Sequence, residues 1–181
     1  MLVGLVLLTG CAGEPSATEE PAPADSTTTS SSEPDTEPRA SSRDEGRAVP
    51  ETLDFTATTV SGDPFEGASL AGRPALLWFW APWCPTCRSQ VPQVQDIAER
   101  YGEDMAVIGV GSLDSAEAIA EFAEEVGGVT HLEDLDGALY RRFGIAEQSS
   151  FVLLDADGAV AFETGYGGSE DLAAEVADVV G

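Results

Sequence analysis

Apolar residues recur along this chain in several rhythms, and each rhythm predicts a different element. Residues 2–8 are apolar except for Gly4. That run is too short to cross a bilayer, which takes roughly 20 apolar residues, but it has the length of the apolar part of an export signal. Residues 12–50 then carry mostly Ser, Thr, Pro, Ala and acidic side chains, with Val49 their one large aliphatic. Such a stretch cannot bury enough apolar surface to offset the entropy of ordering it. It reads as a disordered tether with an r.m.s. reach of roughly 35 Å.

From residue 53 the pattern becomes that of a folded domain. Residues 53–58 alternate like a strand and run into turn chemistry at Ser61-Gly62-Asp63-Pro64. Residues 75–80 are continuously apolar, as in a strand covered on both faces. A helix is predicted over 85–100, with Val91, Val94, Ile97, Ala98 and Tyr101 along one side, and 105–110 reads as a second buried strand. Asp114-x-x-Glu117 has the form of a capping box before a helix that buries Ile119, Phe122, Ala123 and Val126. A short helix over 136–143 should close on Gly144. Strands at 151–154 and 159–162 flank Asp157-Gly158, a strong hairpin signal. A last helix is expected from Ser169, using Leu172, Val176 and Val179. The succession predicts an α/β fold with a mixed central β-sheet flanked by helices.

Charge narrows the partners. With 33 Asp+Glu against 8 Lys+Arg, the net charge is −25. A chain this acidic repels phosphate backbones, which argues against nucleic-acid binding. It also repels an anionic membrane surface, so any membrane attachment must be covalent or hydrophobic.

The chain has three cysteines, and they divide into two problems. Cys11 ends the sequence Leu8-Thr9-Gly10-Cys11, which resembles the bacterial lipobox: an aliphatic residue, two small ones, then the cysteine that is diacylated and becomes the new N-terminus. On that resemblance, residues 1–10 are a signal peptide. Residues 11–50 are then a lipidated N-terminus with its tether, and 51–181 are the folded domain. The protein would sit at the extracytoplasmic face of the cell membrane, held by its lipid.

Cys84 and Cys87 lie at the junction of the 75–80 strand and the following helix. Cys84 falls at the N-cap and Pro85 at the first helical position, where a missing N–H costs nothing. First-turn N–H groups and the helix dipole favour a thiolate at Cys84. Cys87, one turn on and more buried, is placed to resolve a mixed disulfide formed by Cys84. A structural zinc site would need four ligands, and beyond the pair only His131 and carboxylates remain. No metal or cofactor is therefore expected. His131 itself reads as a strand-end or surface residue, Arg88 as a solvated helix residue, and Gly109-Val110-Gly111 as a lone G-x-G without binding significance. Trp80 should pack in the core, whereas Trp83 is a candidate for a shallow apolar docking surface.

The segment from Trp78 to Cys87, Trp-Phe-Trp-Ala-Pro-Trp-Cys-Pro-Thr-Cys, resembles the active site of thioredoxin-like thiol:disulfide oxidoreductases, and Pro92 matches the helix-kinking proline of that superfamily. The likeness is to the exported DsbE/TlpA/ResA type, and to its secreted actinobacterial branch over most of residues 53–162. It implies a thioredoxin-like fold and dithiol–disulfide exchange by Cys84 and Cys87 in a site shaped by Trp83, Pro85, Thr86 and Ser149. The implied partners are exported cysteine-containing proteins and a membrane redox partner. Electron flow could run in either direction. Three positions depart from the resemblance: Trp78 stands where thioredoxin has a buried acid, Gln90 where many exported relatives have a glutamate, and Ser149 where a cis-proline usually faces the cysteines. A serine there favours a trans peptide. These departures support a rival, a non-catalytic thioredoxin-fold lipoprotein that binds a metal or a protein partner. A peroxiredoxin's P-x-x-x-T-x-x-C pattern is met by Pro82 and Thr86 but fails at Ser89.

Overall fold

Ala-Leu-Leu-Trp-Phe-Trp has no polar position, and in the computed structural model, which describes residues 49–181, it forms strand β3 (Ala75–Trp80) with every residue buried. The expected signal peptide, Cys11 and all of the expected tether except Val49 and Pro50 lie outside the described residues. Alternate side chains of β3 enter opposite faces of the sheet, as the two-residue period of a strand requires. Leu76, Trp78 and Trp80 join one core, while Ala75, Leu77 and Phe79 join the other.

Around β3 the described residues build a seven-stranded sheet in the order β2-β1-β5-β4-β3-β6-β7. The strands are β1 (Thr56–Thr59), β2 (Pro64–Glu66), β4 (Ala106–Gly111), β5 (Thr130–Glu133), β6 (Ser150–Leu154) and β7 (Val160–Glu163). β3 runs parallel to β4 and β4 to β5, while the β6–β7 and β1–β2 hairpins add antiparallel edges. The Trp78/Trp80 face packs against α1 (Pro85–Tyr101), α2 (Ala116–Glu124) and α4 (Leu172–Val180) through residues such as Val94, Phe122 and Val176. The Phe79 face packs against α3 (Ala138–Arg142) through Leu139 and Tyr140. The expected α/β architecture with helices on both faces of a mixed sheet is the one observed.

The element boundaries differ in instructive places. Leu53 is not in a strand: it ends a 3-10 turn, Glu51–Leu53, and β1 begins only at Thr56. The cap of α2 is Ser115, whose Oγ accepts from the Ala118 N–H at 3.3 Å, and Asp114 instead accepts from the Ser115 N–H at 2.7 Å. α3 starts at Ala138 and not 136, because Gly137 takes a left-handed φ of 69°. Its first turn is capped from outside by buried Asp134, which accepts from the Leu139 and Tyr140 N–H groups at 3.0 and 3.1 Å. Gly144 does have the left-handed φ, 67°, expected after a helix end. α4 begins at Leu172, since Ser169 lies in the preceding turn. Strands β2 and β5 went unpredicted: β2 is three residues long, and β5 carries only His131 and Leu132 as buried positions.

The Gly109-Val110-Gly111 pattern turns out to be a packing device. A Cβ at Gly111 would meet Trp80 and Ile119 at 2.7 Å, and one at Gly109 would collide with the His131 ring. The two bare positions let the Trp80 indole lie across β4, edge-on to His131 with ring centroids 5.5 Å apart. His131 is therefore a buried strand residue, not a surface one. Its Nε2 lies 3.3 Å from the Val126 carbonyl, and its Nδ1 has no hydrogen-bond partner among the described residues. Burial depresses its pKa, although the Val126 carbonyl works against the shift.

Since the unfolded imidazole titrates at about pH 6.5 and the folded one lower, the unfolded state binds the extra proton first on acidification. Stability should thus be complete above about pH 6.5 and fall below it, by at most about 1.4 kcal/mol per pH unit from this group. Denaturant unfolding at pH 7.5 and 5.0 should show that fall in the wild type and a smaller one in His131→Leu. An equal fall in both proteins would remove His131 as its source.

Candidate active site

Beyond Trp80, Ala81 and Pro82 stay buried, Trp83 turns outward, and α1 begins. Cys84 is its N-cap, in an extended conformation, and its sulfur accepts from the Cys87 N–H at 3.2 Å. Pro85 occupies the first turn as expected. Both cysteines are buried free thiols, yet their environments differ. Burial by itself would raise the Cys84 pKa. It is outweighed by hydrogen bonds from the Cys87 thiol, the Ser149 hydroxyl and the Cys87 and Thr86 N–H groups, so the Cys84 thiol lies below the ordinary cysteine value. Cys87 is pushed up to about 11, first by burial and then by the neighbouring Cys84, with Ser149 opposing. The two sulfurs are thus poised in opposite directions.

Ser149 sits against both. Its Oγ is 3.2 Å from the Cys84 Sγ and 3.0 Å from the Cys87 Sγ. It precedes β6, whose antiparallel pairing sets Ser150 opposite Phe79 and so brings the loop over the end of β3. Its φ is 64°, a left-handed value shared, among described non-glycine residues, only by Leu113 at 65°. A proline, fixed near φ −65°, could not take this conformation, and it would lose the Ser149 N–H bond to the Phe79 carbonyl at 2.7 Å.

The three departures from the thioredoxin pattern form one connected unit. Trp78 Nε1 donates to Gln90 Oε1 at 2.9 Å, and Gln90 Nε2 donates to the Ser149 carbonyl at 3.2 Å. In the sequence these residues stand far apart, at positions 78, 90 and 149. Their link was visible only in part: Trp78 and Gln90 are polar-tipped residues on the inward sides of a strand and a helix, where each needs a partner.

Other side chains set the rim. Trp83 is 55% exposed, and its Nε1 donates to the Leu113 carbonyl at 3.1 Å. Thr86 Oγ1 lies 2.8 Å from the Tyr166 hydroxyl. Trp83, Leu113, Leu135 and Tyr166 are exposed large apolar residues. Leu113 holds Trp83 and Tyr166 reaches Thr86. Leu135 follows Asp134, whose carbonyl accepts from Ser112 Oγ at 2.6 Å. Tyr140 is buried beneath and donates to the Trp80 carbonyl at 3.1 Å. Burial, followed by the charges of Cys87, Asp134 and Cys84, holds its phenol far above the ordinary range, so it stays a neutral donor. Neither Tyr166 nor Tyr140 was singled out by sequence. The Gly165-Tyr166-Gly167-Gly168 loop was the one available signal for the former.

Arg88 is not simply solvated. Its guanidinium reaches Glu125 at 2.7 Å and the Pro82 carbonyl at 3.1 Å, and it lies over the Phe122 ring at 4.6 Å. These contacts turn it towards α2 and away from donating to either sulfur. Among the described residues no group of three or more His, Cys, Asp or Glu side chains is gathered to hold a metal ion.

Residues 46–163 match the AhpC/TSA family. The chain belongs to that family. MPT53, a soluble secreted antigen of Mycobacterium tuberculosis, is 40% identical over 116 residues, covering 64% of this chain and 66% of the antigen. The chain thus spans just under two thirds of the length of that curated relative. Among solved structures, MTB DsbF in its mixed oxidised and reduced forms is similar at a TM-score of 0.68 and 38% identity, over 73% of this chain and 99% of that one. A secreted Mycobacterium tuberculosis disulfide oxidoreductase homologous to E. coli DsbE follows at 0.64 and 36%, over 71% and 98%. The fold is thioredoxin-like, and the likeness read from Trp78 to Cys87 is borne out. Within this family the peroxidase pattern is not completed here: Ser89 stands exposed on α1, donating to the Thr86 carbonyl at 2.7 Å.

The opposed thiols give a direct test. Iodoacetamide should label Cys84 at least about tenfold faster than Cys87 at pH 7, and the two rates should converge only as pH approaches about 11. Equal labelling across the range would contradict the assigned asymmetry.

Proposed function

We propose that this chain is an extracytoplasmic thiol:disulfide oxidoreductase, exchanging disulfides with exported cysteine-containing polypeptides through Cys84 and Cys87. The observation that carries this reading is the asymmetric pair at the start of α1, with the Cys84 sulfur receiving the Cys87 N–H and Cys87 pushed up to about 11. In the reducing direction the Cys84 thiolate attacks a substrate disulfide sulfur, and the displaced substrate thiolate takes a proton from water. Cys87 then loses its proton and attacks the Cys84 sulfur. The new Cys84–Cys87 bond forms as the bond to the substrate breaks, and the second substrate sulfur departs as a thiol. Oxidation of a substrate dithiol is the same sequence reversed, starting from the Cys84–Cys87 disulfide.

Two features support a polypeptide substrate. The exposed apolar residues Trp83, Leu113 and Tyr166 border the thiols, offering contact area to an unfolded segment. The secreted character of the two Mycobacterium tuberculosis relatives supports an extracytoplasmic setting. Within that setting, Leu8-Thr9-Gly10-Cys11 supports a lipid anchor on Cys11. Residues 1–10 are then the removed signal and 11–50 the tether. That tether lets the domain of 51–181 reach substrates and a membrane redox partner.

Three variants test this. Cys87→Ser should accumulate mixed disulfides through Cys84, seen as adducts on non-reducing gels, whereas Cys84→Ser should accumulate none; adducts in neither protein would overturn the exchange reading. For the anchor, the wild-type chain should enter the detergent phase on Triton X-114 partitioning, and Cys11→Ser should move to the aqueous phase. A wild type already in the aqueous phase would dismiss the lipid.

A further inference from the structure

The dithiol has a hydroxyl where its relatives in the wider fold have an inert ring, and that hydroxyl touches both reacting atoms. We propose that Ser149 is a catalytic residue acting as a rotor: its O–H donates to the Cys84 sulfur in the dithiol state and turns to the Cys87 sulfur once Cys84 is tied up in a mixed disulfide. This role rests on the exchange chemistry proposed above.

A serine hydroxyl has one hydrogen to give and two lone pairs to receive. With Oγ at 3.2 Å from one sulfur and 3.0 Å from the other, it can donate to only one at a time. Charge decides which. In the dithiol, Cys84 is the sulfur nearer ionisation, so its thiolate takes the Ser149 O–H alongside the Cys87 S–H. After Cys84 has bonded to a substrate sulfur, it carries no charge and accepts weakly. Cys87 is then the one sulfur of the pair that can ionise, and a rotation about the Ser149 Cβ–Oγ bond aims the hydroxyl at it.

The step balances without any further reactant. The Cys87 proton passes to water, and Cys87 Sγ forms a bond to Cys84 Sγ. The bond between Cys84 and the substrate sulfur breaks, and its electron pair leaves on that sulfur, which takes a proton from water. Ser149 keeps its own proton throughout and supplies a hydrogen bond to the developing charge. In the reverse direction it receives Cys87 as the leaving thiolate.

The surroundings fix the oxygen for this task. Ser149 is held by its N–H on the Phe79 carbonyl at 2.7 Å, and its carbonyl accepts from Gly167 N–H at 3.0 Å and Gln90 Nε2 at 3.2 Å. Gln90 is itself oriented by Trp78 Nε1. A left-handed serine persists only where neighbours over-determine it, and three hydrogen bonds do so here. The two positions at which relatives carry acids thus serve to hold Ser149. Neither an indole nor an amide can take up the Cys87 proton, and the side-chain and backbone groups acting on the two thiols include no carboxylate.

The test uses the full chain with Ser149→Ala, which deletes the hydroxyl, and Ser149→Gly, which deletes it while removing the cost of the left-handed backbone. Cys84 is loaded with a chromogenic aromatic thiol from its symmetrical disulfide at low pH. The pH is then raised, and release of the thiol reports attack by Cys87. Both variants should release it about tenfold more slowly at pH 7, with the rate–pH curve displaced upward by about one unit. Both should also alkylate about tenfold more slowly at Cys84. Release at the wild-type rate in Ser149→Gly overturns the rotor, even if Ser149→Ala is slow, because backbone strain would then explain the alanine. A wild type that exchanges normally with both variants unaffected sinks the role of Ser149 alone. A wild type that never forms the mixed disulfide sinks the exchange chemistry with it.

Discussion

Everything at this site depends on one junction: a strand buried on both faces must end, and a helix must begin, within the four residues that separate Trp80 from Pro85. A helix start leaves N–H groups without partners, and here a sulfur fills the place of the usual cap oxygen. Because β3 is an inner strand, that helix end is held against the sheet, and water is kept from competing for the N–H groups. An exposed capping interaction contributes about 1 kcal/mol. In this covered setting the Cys87 thiol and the Ser149 hydroxyl, joined by the Cys87 and Thr86 N–H groups, turn the upward push of burial on Cys84 into a net lowering. Cys87, one turn further in, has the burial without the helix end.

The second half of the site is positioned by the same strand from its other side. β6 runs antiparallel to β3, and the pairing of Phe79 with Ser150 fixes where the preceding residue must lie. Ser149 arrives over the dithiol because the sheet register puts it there, and its hydrogen bond to the Phe79 carbonyl makes the arrival specific. A shift of one residue in that register would turn the Phe151 and Leu153 side chains out of the Trp78/Trp80 core, which is why it is strongly determined.

Legibility followed the strength of the local signals. β3, β4 and α1 were readable because six or more successive positions agree, and the C-x-x-C at a strand–helix junction carries its own physical reason. β2 and β5 were not, because short strands with few buried positions look like loops. His131 shows the limit plainly: a polar residue in a short strand gives no sign that glycine two strand positions from another glycine has cleared a buried niche for it. Ser149 was located by its place before the Asp157-Gly158 hairpin, but its left-handed backbone and its contact with both sulfurs depend on sheet register and on Gln90, which is 59 residues away in sequence. Pairwise departures from a family pattern could be seen singly. Their union into a single hydrogen-bonded unit is a tertiary fact.

That union also reconciles a very acidic chain with a thiolate. With 33 acidic residues, a buried carboxylate at either departed position would add one more negative charge beside sulfurs that must themselves become negative. An indole and an amide impose no such repulsion. The nearby cation is already engaged, since Arg88 is paired with Glu125 and bonded to the Pro82 carbonyl. Charge on the Cys84 sulfur is therefore met by dipoles: the Cys87 S–H, one hydroxyl and the first-turn N–H groups. Dipoles held in a buried site are screened far less by salt than surface charges are. The thiol chemistry is in this way insulated from the strongly charged surface around it, while the approach of charged substrates is not.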